Sequence, residues 1–379
     1  MNYNIGHTPQ ILVGTDHLSS LAGILKSWER ASAVLIVDAV IAEGEYIKTL
    51  KHALAGVTIA QYIIPAGEPT VDSVNAAAIY ARSFPRAVIV GLGGGSALDV
   101  AKQVAAIVAS HEGIEHYLLC ANPFKGRRPI IAIPTTSGTG AEVTRTCIVS
   151  DTFGRKLWTW GQEMLPDLVI LDPSVTTTMP AFVTAATGLD AFSHALEANT
   201  GKRTNAISSA NALHAMKLIR QHLPTAVNNP ENQEARAGMQ EAALLAGLAI
   251  DNCGTGIAHC IGHALGTLYH IPHGVAVTIA LEATLAWNIE GALEAYTDTA
   301  NVFGVTPQEL PQTFKTFLEQ SQFANAIKTT ATLEPQAIAD LMNAPENQPM
   351  LNNNARVVNE TQRLELAEMT VKVWEGYMK

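Results

Sequence analysis

The 379-residue chain has little cysteine, no basic run and no long apolar run. Its four cysteines, Cys120, Cys147, Cys253 and Cys260, form no C-x-x-C pair. A chain of this length needs no disulfide stapling, so they read as free thiols in a reducing compartment. The formal net charge is −10. That makes it a poor candidate for nucleic acid, whose phosphates demand clustered Lys and Arg, and equally poor for an anionic membrane surface. No uninterrupted apolar stretch approaches the roughly 18 residues of a membrane span. The opening MNYNIGHTPQILVG lacks a basic segment followed by an apolar one, so no secretory signal is expected. There is no internal repeat, low-complexity tract or flexible linker. The expectation is a cytoplasmic protein with no nucleic-acid or membrane partner.

What is present is an ordinary globular composition, 47% hydrophobic and 15% charged, with material for about two domains. In the first half, short β-rich runs (SAVLIV, TIAQYII, RAVIVGLG, PIIAIPT, LVILDP) alternate with helical patterns such as SVNAAAIYARSF and SALDVAKQVAAIVA. Apolar strands separated by amphipathic helices imply a mostly parallel, doubly wound α/β sheet. After about Pro180, Ala- and Leu-rich helical stretches take over. The expected division is an α/β domain over residues 1–177 and a helical domain over 178–379. The short boundary implies close packing of the two around a cleft.

AVIVGLGGGSALDVAKQ carries the clearest motif of the first half. A strand is expected to end at Gly91, followed by Gly93, Gly94, Gly95, Ser96 and a helix. Glycines let the backbone approach an anion, and the helix N-terminus adds free N–H groups and a positive dipole end. Ser96 is expected to cap that helix and donate to a phosphate. A tight turn needs fewer glycines, so phosphate binding is favoured. The loop is not a Walker A motif, because no G-K-[ST] closes it. PTTSGTGAEVT, soon after another strand, can line the same crevice with its hydroxyls and glycines.

GIAHCIGHALGTLYHIPHG holds four of the twelve histidines. His259 and His263 are four apart, as are Asp190 and His194 in GLDAFSHALEA, so each pair shares a helix face. His273 follows in IPHG. Carboxylate and imidazole at this spacing are how helices build an inward-facing metal site. A lone His on an apolar helix is more often a core residue or a cap; two such pairs plus IPHG make coincidence less credible. The pattern is not H-E-x-x-H, so the base of a zinc protease is missing. Cys260 points about 100° around the helix from His259 and is read as packing.

These pieces occur in the same order in iron-containing (group III) alcohol dehydrogenases. GGGS with Asp99 and Lys102, PTTSGTGAEVT, GLDAFSHALEA and the AHCIGHALG–HGVAV pair carry the resemblance, which covers nearly the whole chain and is weakest after about residue 290. It implies a Rossmann-like dinucleotide-binding α/β domain followed by an all-helical domain, the fold shared with dehydroquinate synthase. It implies a metal, Fe²⁺ or Zn²⁺, held by Asp190, His194, His259 and His273. His263 is then a candidate proton relay, while His270 has no role beyond a helix end or surface. Gly93, Gly94, Gly95 and Ser96 match the pyrophosphate loop, and Thr135 and Thr136 match cofactor-contacting positions. Lys156 matches a lysine near the nicotinamide ribose, with an ordinary surface lysine as the bland alternative. Trp158 and Trp160 beside it are read as packing. A homodimer is also implied.

One departure bears on the cofactor. Asp38 stands where relatives carry Thr before an acidic residue, and Ala39 stands where that acid would be. Asp38 near the ribose tips the expectation slightly toward NAD; an open site at Ala39 would accept NADP. Glu68, in AGEPT, adds weakly against a phosphate. The reaction expected is hydride transfer between a small alcohol or aldehyde and NAD(P), with the metal polarising the substrate oxygen. Two alternatives stand beside it: a non-redox dehydroquinate synthase-like enzyme, disfavoured by the scarcity of Lys and Arg near the motifs, and a non-catalytic metal- or nucleotide-binding protein.

Overall fold

The computed structural model describes residue 3 and residues 5–378. Its strands are β1 (Gln10–Val13), β2 (Ser32–Asp38), β3 (Thr58–Ile64), β4 (Val88–Gly93), β5 (Ile130–Pro134), β6 (Thr146–Ser150), β7 (Lys156–Trp160) and β8 (Leu168–Leu171). Its longer helices are α1 (Leu21–Ser27), α2 (Glu45–Ala53), α3 (Val71–Arg82), α4 (Gly95–Ile107), α5 (Ala181–Thr200), α6 (Ala206–Asn228), α7 (Gln233–Cys253), α8 (Ile257–Tyr269) and α9 (His273–Gly291). Shorter helices and one long terminal helix, Glu360–Tyr377, complete the chain.

The chain divides into two compact units. The first, His7–Thr136 with Ala141–Thr176, contains all the strands. Six of them form a parallel sheet in the order β1-β8-β5-β4-β2-β3. Successive residues of one strand feed opposite faces. Val34 and Ile36 pack with α3 and α4, whereas Leu35 and Val37 pack with α1 and α2. Both faces are covered, which is why these strands read as continuous apolar runs. After β3 the chain returns across β2 to lay down β4, so the order reverses between β2 and β4. The carboxyl ends of those two strands form the topological switch point, where open α/β sheets bind ligands.

The glycine-bearing strand runs to Gly93, two residues beyond the expected end at Gly91, because Gly91 to Gly93 pair with Ala132 to Pro134 of β5. β1, β6 and β7 were not among the expected strands. β1 has four residues, too few for a period to show. β6 and β7 pair as an antiparallel hairpin outside the main sheet.

The second unit comprises Met1–Gly6, Ser137–Gly140 and Thr177–Lys379, and its regular elements among the described residues are all helices. Its core is built on α5, whose residues from Gly188 to Thr200 are all buried. Phe192 stacks against Phe314 and meets Phe303 edge-on. No single helix among the described residues is long and apolar enough to cross a membrane. α7 and α8 reach that character only as a pair bent by 100°. All four cysteines are free; Cys120 is exposed and the other three are buried.

Candidate metal centre and nucleotide loop

Three helices of the second unit bring the expected metal ligands together. α5 carries Asp190 and His194, α8 carries His259 and His263, and α9 begins at His273. α8 stops where His270 turns left-handed, with φ of 55°. Pro272 then sits just outside α9, where its missing N–H costs nothing. Gly274 lets α9 abut α5: a Cβ there would collide with the carbonyl oxygen of Ala186, one turn before Asp190. His273 is thereby delivered beside Asp190.

Ligand atoms of Asp190, His259 and His273 lie within 4.8 Å of one another. Asp190 Oδ1 is 3.7 Å from His259 Nε2 and 3.5 Å from His273 Nε2. His194 borders this trio from the other carboxylate oxygen, with Nδ1 4.0 Å from Asp190 Oδ2 and its ring stacked on His259 at 4.5 Å. His263 is half-buried, its ring 5.6 Å from that of His273. His259 Nε2 and His194 Nδ1 are buried and have no hydrogen-bond partner among the described residues. Buried imidazole nitrogens left in this way are costly unless something fills the space between them. One carboxylate and several imidazoles at this spacing fit a divalent cation such as Fe²⁺ or Zn²⁺.

The electrostatics of the two buried histidines differ. Burial, then the neighbouring His259 and His263, hold His194 well below the usual histidine range, which favours the neutral form that a metal can bind. Burial opposes charge on His259 as well, but the Glu197 carboxylate overrides it and raises that pKa.

Glu197 was missed by the sequence reading. It accepts from His259 Nδ1 at 2.6 Å and from the backbone N–H groups of Gly256 and Ala258 at the start of α8. The available signal was its spacing: Asp190, His194 and Glu197 fall at i, i+4 and i+7, one stripe of α5.

In the first unit the glycine loop lies at the switch point. Gly94 occupies the N-cap position of α4 and the helix starts at Gly95. Ser96 is therefore inside the first turn and does not cap the helix, contrary to expectation. No side chain caps α4, so its first N–H groups have no partner of that kind. Gly94, Gly95 and Ser96 are half-buried between fully buried neighbours. Gly93 has φ of 154°; a Cβ there would lie 2.5 Å from that of Ala97 and 3.0 Å from that of Asp38. Asp38 thus ends β2 directly beside the loop, with Oδ1 also accepting from Val40 N at 2.9 Å. Thr135 N donates to Gly93 O at 2.9 Å, and the Thr136 side chain lies against Gly94.

Lys156 is not a surface lysine. It sits in β7, 6% exposed, with Nζ 2.5 Å from Glu68 Oε1. Lys102 is fully buried and donates to the carbonyls of Ala141 and Thr146, fastening the segment after β5 to α4; Asp99 accepts from Ile148 N. His270 is an exposed helix end and Cys260 is buried packing. Trp160 is 46% exposed, with Arg145 over its ring, so it is not simple core packing.

The model of the family "Iron-containing alcohol dehydrogenase" matches residues 8–173, and that of "Fe-containing alcohol dehydrogenase family, C-terminal" matches residues 184–366. The chain belongs to the iron-containing alcohol dehydrogenase family. Iron-containing alcohol dehydrogenases are oxidoreductases, which decides against both alternative readings. The chain is 32% identical to the sulfoacetaldehyde reductase of Bilophila wadsworthia (strain 3_1_6), over 95% of this chain and 96% of that protein. It is 31% identical to the 1-propanol dehydrogenase PduQ of Citrobacter freundii, over 91% and 94%. Among solved structures it resembles the sulfoacetaldehyde reductase of Bifidobacterium kashiwanohense in complex with NAD⁺, with a TM-score of 0.88, 25% identity and coverage of 98% and 99%.

Proposed function

We propose that this iron-containing alcohol dehydrogenase interconverts a small alcohol and its aldehyde using NAD(P), with residues 1–177 binding nucleotide and 178–379 binding metal and substrate. The observation that carries this reading is the convergence of Asp190, His259 and His273 on one point. A divalent cation, Fe²⁺ or Zn²⁺, supplies Lewis acidity toward the substrate oxygen, and a nicotinamide supplies the hydride acceptor or donor.

The protein's own groups do the rest. Asp190, His194, His259 and His273 hold the cation, the single carboxylate leaving it net positive. His263, half-buried beside His273, takes up the alcohol proton and returns it in the reverse direction. Gly93, Gly94, Gly95 and Ser96 receive the pyrophosphate on the uncapped N-terminus of α4. Thr135 and Thr136 brace that loop. Asp38 accepts from the adenosine ribose and repels a 2′-phosphate, which favours NAD over NADP. Lys156, oriented by Glu68, serves the nicotinamide ribose. Relatives acting on sulfoacetaldehyde and 1-propanol make short-chain substrates the first to try.

The test is turnover of 1-propanol, 1,3-propanediol and the corresponding aldehydes by protein loaded with Fe²⁺ or Zn²⁺, with NAD and NADP compared. Activity that a chelator abolishes and metal restores supports the reading. No nicotinamide-dependent turnover of any small alcohol or aldehyde by loaded protein overturns it.

A further inference from the structure

We infer that Glu197 is a positioning residue of the metal centre: it fixes the His259 ring, and the nitrogen that carries its proton, so that Nε2 faces the ion. The inference rests on the metal reading above. Glu197 is 5% exposed and lies on the same stripe of α5 as Asp190 and His194. Oε1 accepts from Ala258 N at 2.7 Å; Oε2 accepts from Gly256 N at 2.8 Å and from His259 Nδ1 at 2.6 Å. α8 begins at Ile257 behind an N-cap glycine, Gly256, and has no side-chain cap of its own. The carboxylate therefore takes that place from another helix, at the positive end of the α8 dipole.

Three donors hold the carboxylate still, and an ionised carboxylate only accepts. Nδ1 of His259 must then carry the proton. That leaves the lone pair on Nε2, the nitrogen 3.7 Å from Asp190 Oδ1. One side chain thus joins the start of α8 to the tautomer of a ligand on its first turn. Ligating histidines are commonly oriented by such an outer carboxylate, and its loss weakens the metal about 10- to 100-fold.

A plain helix cap would predict something else, and Glu197→Gln separates the two. Glutamine keeps an acceptor for a backbone N–H, but its NH₂ donates toward Nδ1 and drives the proton onto Nε2. Zn²⁺ affinity is measured by competition with a chromogenic chelator, and melting temperature is measured with and without Zn²⁺. The expected result is an affinity about 10- to 100-fold weaker and a smaller rise in melting temperature on adding Zn²⁺, on top of a metal-free loss from the one backbone N–H that the amide nitrogen cannot accept. An unchanged affinity, or equal losses with and without Zn²⁺, overturns the inference and leaves the metal reading standing. A parent protein that binds neither Zn²⁺ nor Fe²⁺ overturns both. Ring ¹⁵N spectra of the Zn²⁺-loaded parent protein give a check that does not depend on the variant folding. They should show His259 protonated on Nδ1, and an Nε2–H pattern would overturn the inference.

Discussion

Asp190 faces two imidazole nitrogens with one oxygen and a third histidine with the other, so three histidines are gathered around a single carboxylate. Truncating one of them opens the cluster without disturbing the helix that bears it. His259→Ala should weaken metal binding by more than the roughly 10- to 100-fold attached to loss of an outer partner, and turnover should fall with it. Metal analysis of the purified variant checks this, and retained metal would move the ligand elsewhere. Glu142 offers a second residue-scale test. It is 3% exposed, and burial pushes its carboxyl from the ordinary 4.5 up to about 7. The fold disfavours the ionised form, so folding takes up a proton between those values. The penalty is absent below pH 4.5, grows as pH rises and is complete above about 7. Glu142→Gln should flatten that decline by at most on the order of 3 kcal/mol, read from urea unfolding at pH 5 and pH 8.

At the scale of elements, the site is a matter of how helices start. α4 begins at a glycine with no side-chain cap, α8 follows a glycine whose N–H is met by a carboxylate from another helix, and α9 begins at His273. Gly93→Ala should press a methyl between Ala97 and Asp38 and cost about 1–3 kcal/mol. Nucleotide KM should rise more than kcat falls, and steady-state kinetics with NADH would show it. Asp38→Ala should raise kcat/KM for NADP relative to NAD about tenfold, or ~1.4 kcal/mol. An unchanged ratio would mean that Asp38, already bonded to Val40 N, does not read the ribose. The gathering of Asp190 with His259 and His273 was legible because two i, i+4 pairs each present one helix face, which survives any packing. β3 was legible to the residue because both of its ends are marked by polar or turn residues. Glu197 was not singled out, because a carboxylate three residues past His194 also suits a solvated helix face; only the docking of α8 gives it partners. The β6–β7 hairpin escaped because its alternation is carried by Thr, Cys and Ser as much as by aliphatic residues. Ser96 was misplaced because α4 starts two residues earlier than expected, which makes Gly94 the cap.

For the whole molecule, an ion that binds only the folded state adds to its stability by mass action. At a free concentration a hundred times the dissociation constant the gain is about 2.7 kcal/mol. For a unit of this size that is a rise of about 5–10 °C in melting temperature. Chelation should remove it, and differential scanning calorimetry before and after EDTA would show the difference. No change would mean that the buried carboxylate and histidines form a purely structural cluster.

The cysteines have a consequence for how such experiments can be followed. Cys120 is the single exposed thiol, and burial pushes the thiols of Cys147, Cys253 and Cys260 upward, away from the reactive thiolate. A maleimide dye should therefore attach at one position on the native chain and at four once it is unfolded. The protein carries its own stoichiometric counter of opening, and a fluorophore can be placed on it without any substitution.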